Sequence, residues 1–284
     1  MRVGFIGPGV MAEAMIKGLL NKNIVTAADI VAAGPARAGR GGTMRVKELG
    51  ESFGIKACTD NREAVEGANV VVLSVKPQVL PHVLPGLKGH IPGPALVISI
   101  VAGARINTIE HGLAHTTVVR SMPNTPAQIG EGITVWTASP EVNPAQREQA
   151  RAILSALGEE VYVEDEDYLD MATALSGTGP SYVFLFMEAL IDAGVHLGFP
   201  RDLSERLVLQ TLKGAVEYAR QAPQHPAKLR NQVTSPGGTS AEALYYLEKA
   251  GFRTAVSRAV WAAYQRSVQL GRGKKRHLED EHKA

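Results

Sequence analysis

With 284 residues the chain can form one large domain or two ordinary ones, and two is the expectation because domains cluster near roughly 100 to 150 residues. Its 45% hydrophobic and 20% charged residues exclude a disordered chain. Lys plus Arg number 30 against 28 Asp plus Glu, which excludes a global field for nucleic acid or an anionic membrane, and the single cysteine, Cys58, excludes an internal disulfide framework.

The N-terminal "MRVGFIGPGV" meets a Gly-Pro-Gly turn where a secretory segment would stay apolar. No uninterrupted apolar run approaches the ~20 residues of a membrane span. The expectation is a cytoplasmic protein with no membrane and no nucleic-acid partner. From residue 1 to 164, the runs "RVGFI", "DIVAA", "GIKAC", "NVVVLSV", "ALVISIV", "TVVRSM", "GITVWT" and "EVYVE" alternate with amphipathic stretches. Several runs are apolar at nearly every position, as strands buried on both faces of a helix-covered parallel sheet must be. The alternation predicts an α/β class, with a doubly wound Rossmann-like domain at the N-terminus.

Within it, "VGFIGPGVMAEAM" reads as a strand, then Gly7-x-Gly9-x-x-Ala12, then a helix. Gly7 permits the tight turn, Gly9 lets backbone approach a pyrophosphate, and Ala12 allows close helix-strand packing. The N–H groups of the helix start and its partial positive charge suit phosphates. About 20 residues further on, where an NAD enzyme places Asp or Glu against the ribose 2′-hydroxyl, this chain has Gly34 and Pro35 followed by Arg37, Arg40, Arg45 and Lys47. Arg37 is the best-placed cation for a 2′-phosphate, which favours NADPH, with NADH as the alternative donor and a solvated basic loop as the bland reading. "SVKPQ" and "IVAGA" close the fourth and fifth strands, so Val75, Lys76, Pro77, Val101, Ala102 and Gly103 should line the nicotinamide-ribose side. "RSMPNTP" closes the next strand with a rigid turn on the same edge. His111 and His115 have metal-ligand spacing, but without a third ligand or a glutamate base no metal is expected.

From 165 to 273 apolar residues recur at three- and four-residue spacing, which predicts an all-α domain. "LSGTGP" resembles no nucleophile elbow at Ser176, and "SGTGPS" reads as a glycine-rich loop before a long helix. Residues 182–197 are apolar round more than one face and should be buried all round, which points to a homodimer with shared helices. Ser204 or Asp202 is available to cap the next helix. "TSPGGTSAEAL", residues 234–244, carries a Thr239-x-x-Glu242 capping-box pattern, with a glycine stop at Gly251. Gly237 and Gly238 bring bare backbone to that helix mouth, an anion site suited to a small carboxylate or else a simple helix corner. The tail, 274–284, is charged and reads as solvated.

Taken together, "VKPQ", "RSMPNTP", "EDEDYLDMATALSGTGPSYVF", "MEALIDAGVHLGFPRDLSERL" and above all "LRNQVTSPGGTSAEALYYLE" resemble the pyrroline-5-carboxylate reductases over nearly the whole chain. The resemblance implies reduction of the cyclic imino acid 1-pyrroline-5-carboxylate to L-proline with NADPH or NADH, an interlocked helical dimer, and assembly of dimers into decamers. By position it puts Ile6, Gly7, Pro8, Gly9, Val10 and Met11 on the pyrophosphate, and Gly34, Pro35 and Arg37 at the adenosine end. Asn61, Val75, Lys76, Pro77, Ile100, Val101, Ala102 and Gln232 then contact the rest of the cofactor. Gly237, Gly238, Thr239 and Ser240 hold the substrate carboxylate, with Asp165 or Glu166 near the ring nitrogen. Thr239 and Ser240 are the candidate catalytic side chains. Ser240 stands where many relatives have threonine, and Gly34 replaces a frequent serine or asparagine. A reductase of another small cyclic imino acid and a non-catalytic NADPH-binding sensor are the alternatives.

Overall fold

The computed structural model describes residues 1–35 and 43–272. They form two compact units, Met1–Thr178 together with the residues from Ala263 onward, and Gly179–Ala262. The first unit thus runs beyond residue 164, where the strand signal ends, and takes back the end of the last helix.

The first unit holds β1 (Val3–Ile6), α1 (Val10–Asn21), β2 (Ile30–Ala33), α2 (Thr43–Phe53), β3 (Lys56–Cys58), α3 (Asn61–Val65), β4 (Val70–Leu73) and α4 (Leu80–Leu87). It continues through β5 (Leu96–Ser99), α5 (Ile106–Leu113), β6 (Val118–Met122), β7 (Gly132–Ala138), α6 (Pro144–Leu154), β8 (Gly158–Tyr162) and α7 (Tyr168–Ala172). The strands make one eight-stranded sheet in the order β3-β2-β1-β4-β5-β6-β7-β8. Every residue of β1, β2, β4 and β5 is buried, because helices cover both faces. One apolar cluster packs α1 and α6 residues such as Met15, Ile16 and Ile153 on one face, and the other packs Leu84, Ile109 and Leu113 from α4 and α5. All pairings are parallel except β6 with β7. Residues 123–131 are too short for a parallel crossover, so the chain reverses through a 3₁₀ turn, Thr125–Ile129. The Asn124 side chain locks this reversal by accepting from Ile133 N at 3.0 Å.

The second unit contains α8 (Gly179–His196), α9 (Arg201–Gln221), α10 (Pro226–Gln232), α11 (Thr239–Lys249) and the greater part of α12 (Phe252–Arg272). Gly194 of α8 lies against Ser204 of α9, whose hydroxyl donates to Ile191 O at 2.8 Å. Neither Ser204 nor Asp202 caps α9. Pro200, with φ fixed near the helical value, stands at the N-cap and leaves Ser204 inside the helix, facing α8. The expected burial of residues 182–197 is not met within one chain: no residue of α8 is buried, and Phe184 and Leu185 are 60% and 67% exposed. The helical run Tyr168–His196 is, by length and mean hydropathy alone, apolar enough to cross a membrane. Counting uninterrupted apolar stretches missed this, because its polar residues are spread singly along it.

Candidate active site

In the parallel register, Ile6 pairs with Leu73 and Leu73 with Ser99, so the carboxyl ends of β1, β4 and β5 lie side by side. The three loops that follow are tied together by backbone. Ser74 N donates to Ile6 O at 2.9 Å, and Ile100 N donates to Leu73 O at 3.0 Å. This is the edge where open α/β sheets bind ligands.

Gly7 opens the first loop with φ of 99°, and a Cβ there would lie 2.7 Å from Val75 Cγ1 and 2.9 Å from Val75 N. The turn is held by Gly7 N donating to Ala33 O at 3.0 Å, and by the Ser74 hydroxyl, 2.7 Å from Gly7 O and 3.1 Å from Ile6 O. Ser74 is a residue that sequence reasoning missed, since a serine closing a strand carries no signal of its own. Gly9 is the N-cap of α1 with ordinary φ, and a Cβ on it would meet only Ser74 O at 3.9 Å. Val10 and Gly9 are exposed, Ala12 is fully buried, and the first-turn N–H groups of α1 are free for an anion. These residues fit a dinucleotide pyrophosphate.

After β2, where the adenosine end is expected, a Cβ on Gly34 would fall 2.5 Å from Val46 Cγ2 and 2.8 Å from Pro8 Cγ. The glycine at 34 and the proline at 8 therefore belong together, and a serine at 34 would displace both neighbours. Pro35 is exposed, and Arg37 lies outside the described residues. Arg45, counted among the basic residues of this loop, is already taken: its guanidinium pairs with Glu13 of α1 and with Glu48 at 3.2 Å. Partial burial works against its charge, yet the bonds to Glu48 and Glu13 hold Arg45 above its ordinary value. Asn61, first residue of α3, lines an open cavity of about 390 Å³ with Asp60, Arg62 and His82. Val75 and Pro77 are half-buried, and Lys76 is exposed, its carbonyl accepting from Val79 N at 2.8 Å.

In the third loop Ile100 and Ala102 are half-buried and Val101 is buried, its N–H 3.3 Å from Ser99 Oγ. Gly103, at φ of 73°, lies against the last helix, where a Cβ would meet Gly271 N and Leu270 Cβ at 2.9 Å. Beside this loop stands a charge network, buried at Arg120 and Asp170, of which sequence reasoning named only Glu166, and for a different role. Arg120, 2% exposed, donates to Glu166 at 2.9 Å and to Asp170 at 3.0 Å. Glu166 also accepts from Ile106 N at 2.8 Å, and Asp170 from the Ser267 hydroxyl at 2.6 Å. Arg105 pairs with Asp167 at 2.5 Å, a bond that raises the arginine's pKa. Asp165 is exposed, one carboxylate oxygen accepting from Asp167 N.

"SGTGPS" is not a loop. Thr173–Gly177 form a π-helical turn, the Ser176 hydroxyl donates to Ala172 O at 3.0 Å, and α8 follows at once with Pro180 as its second residue. The π form follows from Thr178 N reaching back five residues to Thr173 O at 2.8 Å.

In the helical unit, Gly237 makes a turn at φ of 69° and Gly238 N donates to Ser235 O at 3.0 Å. Gly238, in extended conformation, is the N-cap of α11, so Thr239 is the first helical residue and its expected capping box with Glu242 does not form. A Cβ on Gly238 would lie 2.5 Å from Ser235 Oγ, which leaves no room for a capping side chain. Thr239 is exposed and Ser240 half-buried, and α11 ends at Gly251 as expected. The 239 and 240 positions thus present hydroxyls and N–H groups at the mouth of an 11-residue helix. Gln232 ends α10, its amide donating to Gln224 at 3.0 Å.

Residues 166–270 match the family model for pyrroline-5-carboxylate reductase dimerisation, and residues 2–103 match that for coenzyme F420-dependent NADP oxidoreductases. A pyrroline-5-carboxylate reductase of Synechocystis is 42% identical over 96% of this chain and 99% of its own length. One from Pseudomonas aeruginosa is 43% identical over 95% and 96%. This chain belongs to the pyrroline-5-carboxylate reductase family. A crystal structure of the Plasmodium falciparum reductase with NADP bound superposes with a TM-score of 0.85 at 34% identity, covering 95% of this chain and 98% of that one. The family's dimerisation segment coincides with the helices whose apolar side chains one copy leaves exposed, which supplies a reason for that surface.

Proposed function

We propose that this reductase converts 1-pyrroline-5-carboxylate to L-proline, the final step of proline synthesis, with NADPH as the hydride donor. The observation that carries the reading is the presence, in one chain of this family, of two helix starts whose N-cap is a glycine with bare backbone, which we read as anion sites. The first is the turn at Gly7 and Gly9 before α1, assigned to the pyrophosphate, and the second is the bare helix mouth at Gly238, assigned to the carboxylate. Cofactor binding is assigned to the turn residues Ile6, Gly7, Pro8, Gly9, Val10 and Met11, to Gly34, Pro35, Arg37 and Asn61, to the loops at 75–77 and 100–102, and to Gln232. The substrate carboxylate is assigned to Gly237, Gly238, Thr239 and Ser240, with Asp165 or Glu166 near the ring nitrogen; Glu166 is already bonded to Arg120 and Ile106 N, whereas Asp165 is exposed.

The bound cofactor supplies hydride to the imine carbon. What this chain supplies is position, because nicotinamide and imine must meet within ~3 to 3.5 Å. As hydride adds, the C=N electron pair passes to nitrogen. A substrate bound as its iminium already carries the proton that nitrogen needs, so no strong acid is required. The Ser240 or Thr239 hydroxyl holds the carboxylate or the ring nitrogen. The apolar surface of α8 pairs with a second copy to form a homodimer through the helical domain, and dimers assemble into decamers in the cytoplasm.

The test is the loss of near-ultraviolet NADPH and NADH absorbance with a panel of cyclic imino acids. Oxidation with the five-membered imine and NADPH is expected. No turnover with any imine would sink the enzymatic reading, a preference for a six-membered ring would change the substrate, and faster turnover with NADH at low cofactor would overturn the role given to Arg37. Ser240→Ala should lower kcat/KM without abolishing turnover, and an effect within a factor of about two removes Ser240 from the mechanism.

A further inference from the structure

We propose that Glu166 is a positioning residue for hydride transfer, acting through Ile106 N on the loop of residues 100–105, with Arg120 and Asp170 holding Glu166 in place. The proposal rests on the reading of that loop as the nicotinamide-ribose contact.

The helix α5 begins without a cap of its own. Arg105 stands at its N-cap position, and arginine has no acceptor to offer a first-turn N–H. The acceptor comes from 60 residues away, where Glu166 Oε1 lies 2.8 Å from Ile106 N. The same oxygen lies 2.9 Å from Arg120 Nη1, so its direction is set by a guanidinium that is itself almost wholly buried on β6. The other arm of Arg120 is fixed by Asp170, which is 4% exposed and also receives the Ser267 hydroxyl. In a fixed fork of this kind neither carboxylate can shift without breaking a charge-assisted bond. The loop between Ser99 and Ile106 is therefore pinned at its start by Ser99 Oγ, at Gly103 by the backbone of Gly271, and at its end by Glu166. Only the last of these pins is a side chain that can be exchanged without a change of volume. None of the three acidic or basic groups needs to touch a reactant, since a misplacement of about 1 Å in a loop that orients the nicotinamide is enough to slow the transfer 100-fold.

Two variants release the pin in different ways. Glu166→Gln keeps the shape and weakens both bonds, while Ile106→Pro removes the N–H altogether. Proline is accepted at the first helical position, and Arg105 before it is already extended at ψ of 151°. Both are assayed as the full oligomeric enzyme, with kcat expressed per NADPH site titrated by fluorescence. The expected result is a fall in kcat of about tenfold or more, with KM for NADPH moving less than about threefold. The deuterium isotope effect from NADPH labelled at the transferred position should rise, because the hydride step becomes limiting. Asp170→Asn should add nothing further to kcat in the Glu166→Gln background, as its effect passes through Glu166. A lowered melting temperature with kcat within twofold and an unchanged isotope effect overturns the proposal and leaves Glu166 a structural cap. Ala102→Leu is the control on the loop itself: if it leaves KM for NADPH unaltered, the loop reading fails and this proposal with it. If it raises KM while both pin variants behave as the parent, the loop reading stands and this proposal alone fails.

Discussion

Gly7 and Gly9 share one motif, yet the structure gives them different obligations, and a methyl group at each separates folding from cofactor binding. At Gly7 the backbone has φ of 99°, and a Cβ would stand 2.7 Å from a side-chain carbon and 2.9 Å from a backbone nitrogen of Val75. The left-handed strain costs about 1–2 kcal/mol and the overlap about 1–3 kcal/mol more, so Gly7→Ala should destabilise the first unit by about 2–5 kcal/mol. At ~2–4 °C per kcal/mol for a unit of this size, the melting temperature should fall by about 4–20 °C. At Gly9 the φ is −81° and the added methyl would meet only one atom, at 3.9 Å, so Gly9→Ala should cost about 1 kcal/mol or less of stability. That methyl would sit at the N-cap of α1, where the pyrophosphate is assigned. NADPH affinity, measured by fluorescence titration, should weaken at least about tenfold, or ~1.4 kcal/mol. Parent-like NADPH binding by Gly9→Ala would refute the placement of the pyrophosphate, and a Gly7→Ala melt within about 2 °C of the parent would refute the steric reasoning.

Arg120→Met leaves Glu166 and Asp170 without their buried counterion and should cost about 3–5 kcal/mol in chemical denaturation; a loss under about 1 kcal/mol contradicts the burial argument. Gly194→Ala gains helix propensity but drives a Cβ to 2.1 Å from Ser204 Oγ, so it should lower the melting temperature, and adding Ser204→Ala should restore part of the loss. Burial, then the charge of Glu63, pushes the Cys58 thiol above its ordinary value. At a given pH less thiolate is present, so iodoacetamide should react more slowly than with an exposed thiol, with the rate climbing at higher pH. The folded state correspondingly favours the thiol form, and this contribution to stability declines as pH rises past the unfolded thiol's ~8.5. Alkylation as fast as that of a small free thiol near neutral pH would show the burial to be ineffective.

The strands were legible because a buried parallel strand leaves an unbroken apolar run, as in Val70–Leu73, and the phosphate turn because its constraint is local to three small residues. The direction of β7 was not, since it depends on how far residues 123–131 can reach. Arg120, Asp170 and Ser267 were invisible for a related reason: the partners are 50 and 97 residues apart, and each type is ordinary where it stands. The Thr239 box failed on one position. Its pattern of residue types is present, but Ser235 crowds the turn so that a glycine holds the N-cap. The resemblance supplied the substrate, which no spacing in the chain specifies.

The first unit is assembled from two lengths of chain, and this sets an order of events at birth. Residues 1–178 leave the ribosome before the end of α12 exists, so the nascent sheet emerges with Gly103 uncovered and Asp170 lacking the Ser267 hydroxyl. With 97 residues between Asp170 and Ser267 and synthesis at roughly 5–20 residues per second, that interval lasts on the order of 5–20 s. The half built on the sheet is made first but finished last, and a stop codon before Ser267 would leave it uncovered at Gly103 and Asp170.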